Sequence, residues 1–235
     1  MGKIINKNQS LGEIVSIFPG ATEIFNRYKI DYCCGGHDTL AGALEVIALD
    51  NDNNNIIEEL NNKYEKFIKN NSEYKDWRKE KPSDLIRHIV QTHHEFTKKQ
   101  LREIDTLLFK VLKVHFKNHS EELLKVHKHF GTLKTELEEH LIKEEEHLFP
   151  LIENFEITKD NSVLLKINQV IKDTEEEHEA AGNILKELEK ITRDFNAPEG
   201  ACTSFKLVYT KLHDLEKDLF IHIYLENSVL FNMLK

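Results

Sequence analysis

After Pro82-Ser83-Asp84, a good helix-start signal, the chain runs on as four long amphipathic stretches, near 83 to 116, 120 to 153, 162 to 193 and 203 to 234. They are divided by Asn118-His119-Ser120, by Thr158 to Ser162 and by Asn196 to Gly200. Each carries an apolar stripe in alternating steps of three and four, which is the pattern of a helix that buries one face. A helix of about 30 residues is roughly 45 Å long, and short connections force sequential neighbours antiparallel. The expected fold is all-α: an antiparallel up-down four-helix bundle over 82–235, preceded by a small helical domain.

That domain is expected over residues 1–50. Ser10 and Glu13 form a capping-box pattern, Pro19-Gly20 breaks the helix that follows, and Asp38 is a candidate N-cap for Leu40, Ala43 and Leu44. Residues 51–81 turn polar, with an Asn-rich run at 51 to 55 and Asn70-Asn71-Ser72 further on, and read as a connector with partial helix near 56 to 69. The net charge of −9 argues against nucleic acid or an anionic membrane as partner. No apolar run approaches a membrane span, and the opening MGKIINKNQSLGEI lacks a secretory signal's apolar stretch. Three cysteines make no disulfide framework, so a cytoplasmic, reducing location is expected.

Chemistry enters through the stripes. They place His94 beside Thr97 and Leu101, His140 and Glu144 after Leu137, His178 between Thr174 and Ala181, and His222 and Glu226 after Leu219. Four imidazoles and two carboxylates in a Leu-rich core are costly unless a cation neutralises and coordinates them. The H-x-x-x-E spacing puts both side chains on one helix face, although chance alone supplies such pairs in a chain with 13 His. Repetition makes it specific. His140-x-x-x-Glu144-x-x-x-Leu148-Phe149 recurs as His222-x-x-x-Glu226-x-x-x-Leu230-Phe231, 82 residues on. His94-Glu95 with Leu101 likewise recurs as His178-Glu179 with Leu185, 84 residues on, so the bundle reads as two related hairpins.

Paired hairpins imply paired metals. Two near-octahedral irons offer about twelve positions, of which four His, two bridging Glu and a bridging oxide or hydroxide fill all but about one on each. Open positions imply reactivity. His93 shares a stripe with Gln100 and Glu103 and is expected to face outward. His147 is at most an outer neighbour of the site, because its repeat counterpart is Val229. His115 and His119 are expected to be solvated or capping, and His88, His127, His129 and His213 to lie on the surface. Gly182, one turn after His178, either leaves space for a small molecule or permits close helix packing.

These residues, with FPGATEIFNRYKIDYCCGGHDTLAGAL at 18 to 44, resemble the iron-sulfur cluster repair di-iron proteins, the repair of iron centres family. The resemblance covers nearly the whole chain, pairing a small Cys-Cys domain with a hemerythrin-like bundle. It implies a cytoplasmic, stress-induced protein that helps restore iron-sulfur clusters damaged by nitric oxide or peroxide. It also implies two irons held by the six residues named above, with Glu144 and Glu226 bridging. The implied partners are nitric oxide or another diatomic ligand, damaged iron-sulfur proteins and an electron donor the sequence does not identify. Whether nitric oxide is reduced or only bound, whether iron is donated, and whether two chains pair stay open. The last motif lacks a five-residue step to Asp, and Gly182 stands where a fifth His would be expected, which argues against reversible oxygen carriage. Gly35 and Gly36 would leave Cys33 and Cys34 accessible on a flexible turn, suited to thiol exchange, nitrosation or transient iron handling; small buried side chains are the alternative. Cys202 is expected to be structural. An oxygen or redox sensor is the competing function, and ferritin-like iron oxidation fits least, because such sites use Glu-x-x-His.

Overall fold

The computed structural model describes residues 5–47, 53–70 and 75–235. It is all-α; among the described residues the only extended pairing is a single bridge between Ser10 and Thr39. Part of the Asn-rich run, Asn51 and Asp52, and the Asn71-Ser72 pair fall outside the described residues. Two compact units emerge, one of Met1–Leu85 with Ile221–Lys235, the other of Ile86–Phe220.

In the first unit, helix α1 (Leu11–Ile17) begins with the expected capping box: the Glu13 N–H donates to Ser10 Oγ, and the Ser10 N–H to Glu13 Oε2, each at 3.1 Å. Pro19-Gly20 separates it from α2 (Ala21–Arg27). Helix α3 (Leu40–Ile47) is capped by Thr39 rather than Asp38, because the Gly42 N–H donates to Thr39 Oγ1 at 3.1 Å. Helix α4 (Asn53–Asn70) extends the partial helix expected near 56 to 69. Ile14, Phe18, Ile24, Phe25, Leu40, Ile56 and Leu60 are buried here, with the Phe18 ring against Tyr64 and Phe67. The last residues of the chain join this unit through a buried hydrogen bond between the Ser16 and Tyr224 hydroxyls (2.7 Å) and an edge contact of the Tyr32 and Tyr224 rings.

The second unit is the body of the bundle. Helix α5 (Pro82–His88) leads into α6 (Glu95–Lys143), which folds back at His119, a single non-helical residue (φ −134°, ψ 21°). Helices α7 (Phe149–Thr158), α8 (Asn161–Ile191) and α9 (Thr203–Tyr224) follow. Ion pairs fix the antiparallel register: Lys98 with Glu145 and Lys134 with Asp105, then Lys143 with Glu177 and Arg193 with Glu122, then Lys211 with Glu103. All four stripes meet in one core that includes Leu101, Leu108, Val126, Leu133, Leu185, Val208, Leu212 and Leu219. No helix among the described residues is long and apolar enough to cross a membrane.

At one end of this core the buried Tyr209 hydroxyl donates to Glu122, whose other oxygen accepts from Arg193 at 2.6 Å. Burial and the neighbouring carboxylate raise the Tyr209 phenol far above its usual range, so it stays a donor. A hydrogen bond to a charged acceptor contributes about 1.5–3 kcal/mol, and Tyr209→Phe should cost about that much in urea unfolding, with the slope of the transition unchanged.

Candidate metal centre

The repeated sequence module is also a repeated backbone structure. At Glu144–Leu148 and again at Leu225–Leu230 the helix widens into a π-helical segment, in which the Phe149 N–H reaches back five residues to the Glu144 carbonyl, and the Phe231 N–H to that of Glu226. Pro150 has no N–H to continue an α-helical ladder, which favours the wide turn in the first copy. A third such segment, Ile89–His94, ends on His94, where the Glu95 N–H bonds the Val90 carbonyl. The extra residue in a π turn offsets the helical register locally, and such turns frequently mark functional sites.

The consequence is visible at His93. The apolar stripe points it outward, yet both His93 (5 % exposed) and His94 (0 %) are buried, because the wide turn brings adjacent positions inward together. His93 Nδ1 lies 3.0 Å from Asp218 Oδ1, and its ring meets that of His88 edge-on, so His88 is half-buried rather than a surface residue. His147 is exposed. His115 and His119 are half-buried and set their rings edge-on to Phe205, and His213 stacks on Phe195, where burial lowers its pKa. His127 and His129 are half-buried, and Cys202 is exposed, with its sulfur 3.1 Å from His115 Nε2.

Within the bundle unit, His94, His140, Glu144 and His178 are all buried. His140 Nδ1 donates to Glu177 Oε2 at 2.8 Å, while Lys143 Nζ donates to Glu177 Oε1 at 2.7 Å. The hydrogen bond from His140, with that from Lys143 and the lysine's positive charge, holds the Glu177 carboxyl at about 2 against the opposing effect of burial. His94 Nδ1 is bonded in the same way to Glu145 Oε1 at 2.7 Å, and Lys98 Nζ donates to that oxygen at 2.8 Å. Burial pushes the Glu145 carboxyl up, but the bonds from Lys98 and His94 outweigh it and leave it below the usual range. The His94 ring also stacks on Phe149.

With Nδ1 of each ring donating outward, the two Nε2 atoms carry lone pairs turned inward. Glu144 Oε2 then lies 3.4 Å from His94 Nε2 and 3.3 Å from His140 Nε2, and His178 Nε2 lies 3.2 Å from His140 Nε2. His140, Glu144 and His178 thus present ligand atoms all within 4.8 Å of one another. In the other unit, His222 Nε2 and Glu226 Oε1 lie 3.1 Å apart, both fully buried. Imidazole and carboxylate groups gathered at such distances could hold a cation, and this donor set suits iron, zinc or manganese. Sequence reasoning missed Glu145, Glu177, Lys98 and Lys143. A signal existed: each pinned histidine is followed, three or four residues later, by the lysine that anchors its carboxylate partner.

Cys33 is buried and Cys34 half-buried, so the accessible turn expected from Gly35 and Gly36 is not what forms. The glycines serve close packing. A Cβ at Gly36 would lie 2.3 Å from Ser228 Oγ, and one at Gly35 would lie 2.5 Å from the Asp31 carbonyl oxygen. The Cys34 thiol beside it, together with burial, pushes the Cys33 thiol well up, so the free sulfur is a poor nucleophile.

Residues 85–234 match the family model described as the hemerythrin HHE cation binding domain, and residues 7–64 match a domain of unknown function, DUF542. Proteins named iron-sulfur cluster repair protein YtfE from Escherichia coli O1:K1, from Escherichia coli strain SMS-3-5 and from Escherichia fergusonii are each 35 % identical over 226 residues, covering 96 % of both chains. The fold, the buried His and Glu groups and these matches over nearly the full length agree, and the chain belongs to the family of hemerythrin-domain iron-sulfur cluster repair proteins.

Proposed function

We propose that the chain holds two iron ions through His94, His140, Glu144, His178, His222 and Glu226, with Glu144 and Glu226 bridging. We propose further that it serves the repair of iron-sulfur clusters damaged by nitrosative or oxidative stress. The observation that carries this reading is Glu144 facing two imidazole nitrogens whose opposite nitrogens are committed to Glu145 and Glu177. When bound, the irons would supply redox change and open positions for a diatomic ligand such as nitric oxide, or would themselves be given up to a damaged cluster. The side chains do the rest. The Glu145 and Glu177 carboxylates keep the imidazoles in the ligating tautomer, the lysines keep those carboxylates ionised, and the buried Leu137, Leu141 and Leu148 lie within about a turn of His140 and Glu144 along the helix. The names of the relatives support the repair role by analogy.

The test is iron stoichiometry and Mössbauer spectroscopy on the purified protein, followed by incubation of its di-ferrous form with nitric oxide and with a nitric-oxide-damaged iron-sulfur enzyme. Two coupled irons, a spectral response to nitric oxide and recovery of the damaged enzyme are expected. Stable, reversible oxygen binding with no recovery would favour the sensor reading instead. Glu177→Gln keeps the shape but loses the charge that orients His140, and should weaken metal affinity about 10- to 100-fold, as measured by competition with a chelator.

A further inference from the structure

The first unit contains a second group of ligating atoms, apart from the six bundle residues. Asp31, Cys33 and Cys34 offer one carboxylate oxygen and two sulfurs, all within 4.8 Å of one another. The turn holds them there. Asp31 Oδ1 accepts from the Cys34 N–H (3.1 Å) and the Gly35 N–H (3.4 Å), and lies 3.2 Å from Cys33 Sγ, while the two sulfurs are 3.8 Å apart. The turn is itself fixed, because the Gly12 N–H of α1 donates to the Gly36 carbonyl at 2.9 Å and Ser228 packs against both glycines. The donors are therefore preorganised, which lowers the entropy lost on binding.

We propose that Asp31, Cys33 and Cys34 form a labile site for a thiophilic divalent cation of the Fe²⁺ or Zn²⁺ class. Thiolates select such ions over Mg²⁺ and Ca²⁺, which prefer all-oxygen shells. On binding, each thiol loses its proton to solvent as its sulfur bonds the cation, and the carboxylate supplies the third bond. Three protein ligands leave one tetrahedral position open, the arrangement of exchangeable rather than structural sites. Half-buried Cys34 gives that position access to solvent. A disulfide is the competing use of the pair. It would require the sulfurs to close from 3.8 Å to about 2.05 Å between adjacent residues, against the packing that fixes this turn.

The test is a Co²⁺ titration of the reduced full-length protein, with the bundle already loaded with iron. One equivalent should bind with thiolate-to-cobalt charge-transfer absorption. Cys34→Ser should abolish that absorption without changing bundle iron or the thermal midpoint, and Asp31→Asn should weaken Co²⁺ binding at least about tenfold. Absence of the thiolate bands overturns the proposal, as does full retention of affinity in Asp31→Asn. Because bundle ligands carry no sulfur, cobalt entering there gives no such bands, so failure of the iron reading and failure of this one are separately visible.

Discussion

His140→Ala and Glu226→Ala are each expected to strip iron from the protein while leaving most of its helicity. Each removes one of the six proposed ligands. Loss of an outer partner already costs about 10- to 100-fold in metal affinity, so loss of a direct ligand should cost more. The core from Leu101 to Leu133 is apolar and continuous without these residues, so far-ultraviolet circular dichroism should change little. A sign reversal makes the test sharper. Without metal, Glu144 is a fully buried carboxyl 3.3–3.4 Å from two imidazole nitrogens, and burying it costs stability. Glu144→Gln replaces the carboxyl with a neutral amide that can donate to Nε2. It should stabilise the metal-free protein by about 1–3 kcal/mol while abolishing tight iron binding. Thermal unfolding with and without chelator reads both effects. Iron content unchanged from wild type in His140→Ala and Glu226→Ala would refute the ligand assignment.

Most of what positions this site could be read along the chain, because it is written in local periodicities. Stripes in steps of three and four located the buried faces of all four helices, and the capping box at Ser10 and the break at Pro19-Gly20 formed as their residue chemistry dictates. What escaped depends on contacts between distant residues or on one-residue shifts of hydrogen bonding. The π turns at Ile89–His94, Glu144–Leu148 and Leu225–Leu230 move a helix face without changing the apolar pattern, so His93 could not be seen to turn inward. Thr39 and Asp38 are both competent caps, and only the bridge between Ser10 and Thr39 shows which one sits at the helix start. The thiols look exposed in sequence because the residue that closes over their turn, Ser228, lies almost 200 positions away.

That closure makes the glycines of the turn among the most sensitive positions in the first unit. Gly35→Ala would place a methyl carbon 2.5 Å from the Asp31 carbonyl oxygen and 3.1 Å from Asp38 Oδ2. The first is a backbone atom and cannot swing aside as a side chain could, so the turn itself must open. Overpacking of this kind costs about 1–3 kcal/mol, and a contact this short belongs at the upper end. Gly131→Ala supplies the contrast. Gly131 lies inside α6, and a methyl added there would meet nothing within 4 Å, so alanine should stabilise by about 0.5–1 kcal/mol through helix propensity alone. Chemical denaturation should therefore move the two variants in opposite directions. If Gly35→Ala proved as benign as Gly131→Ala, the turn would have slack that the packing around Asp31 does not allow, and the preorganisation of its sulfurs would have no basis.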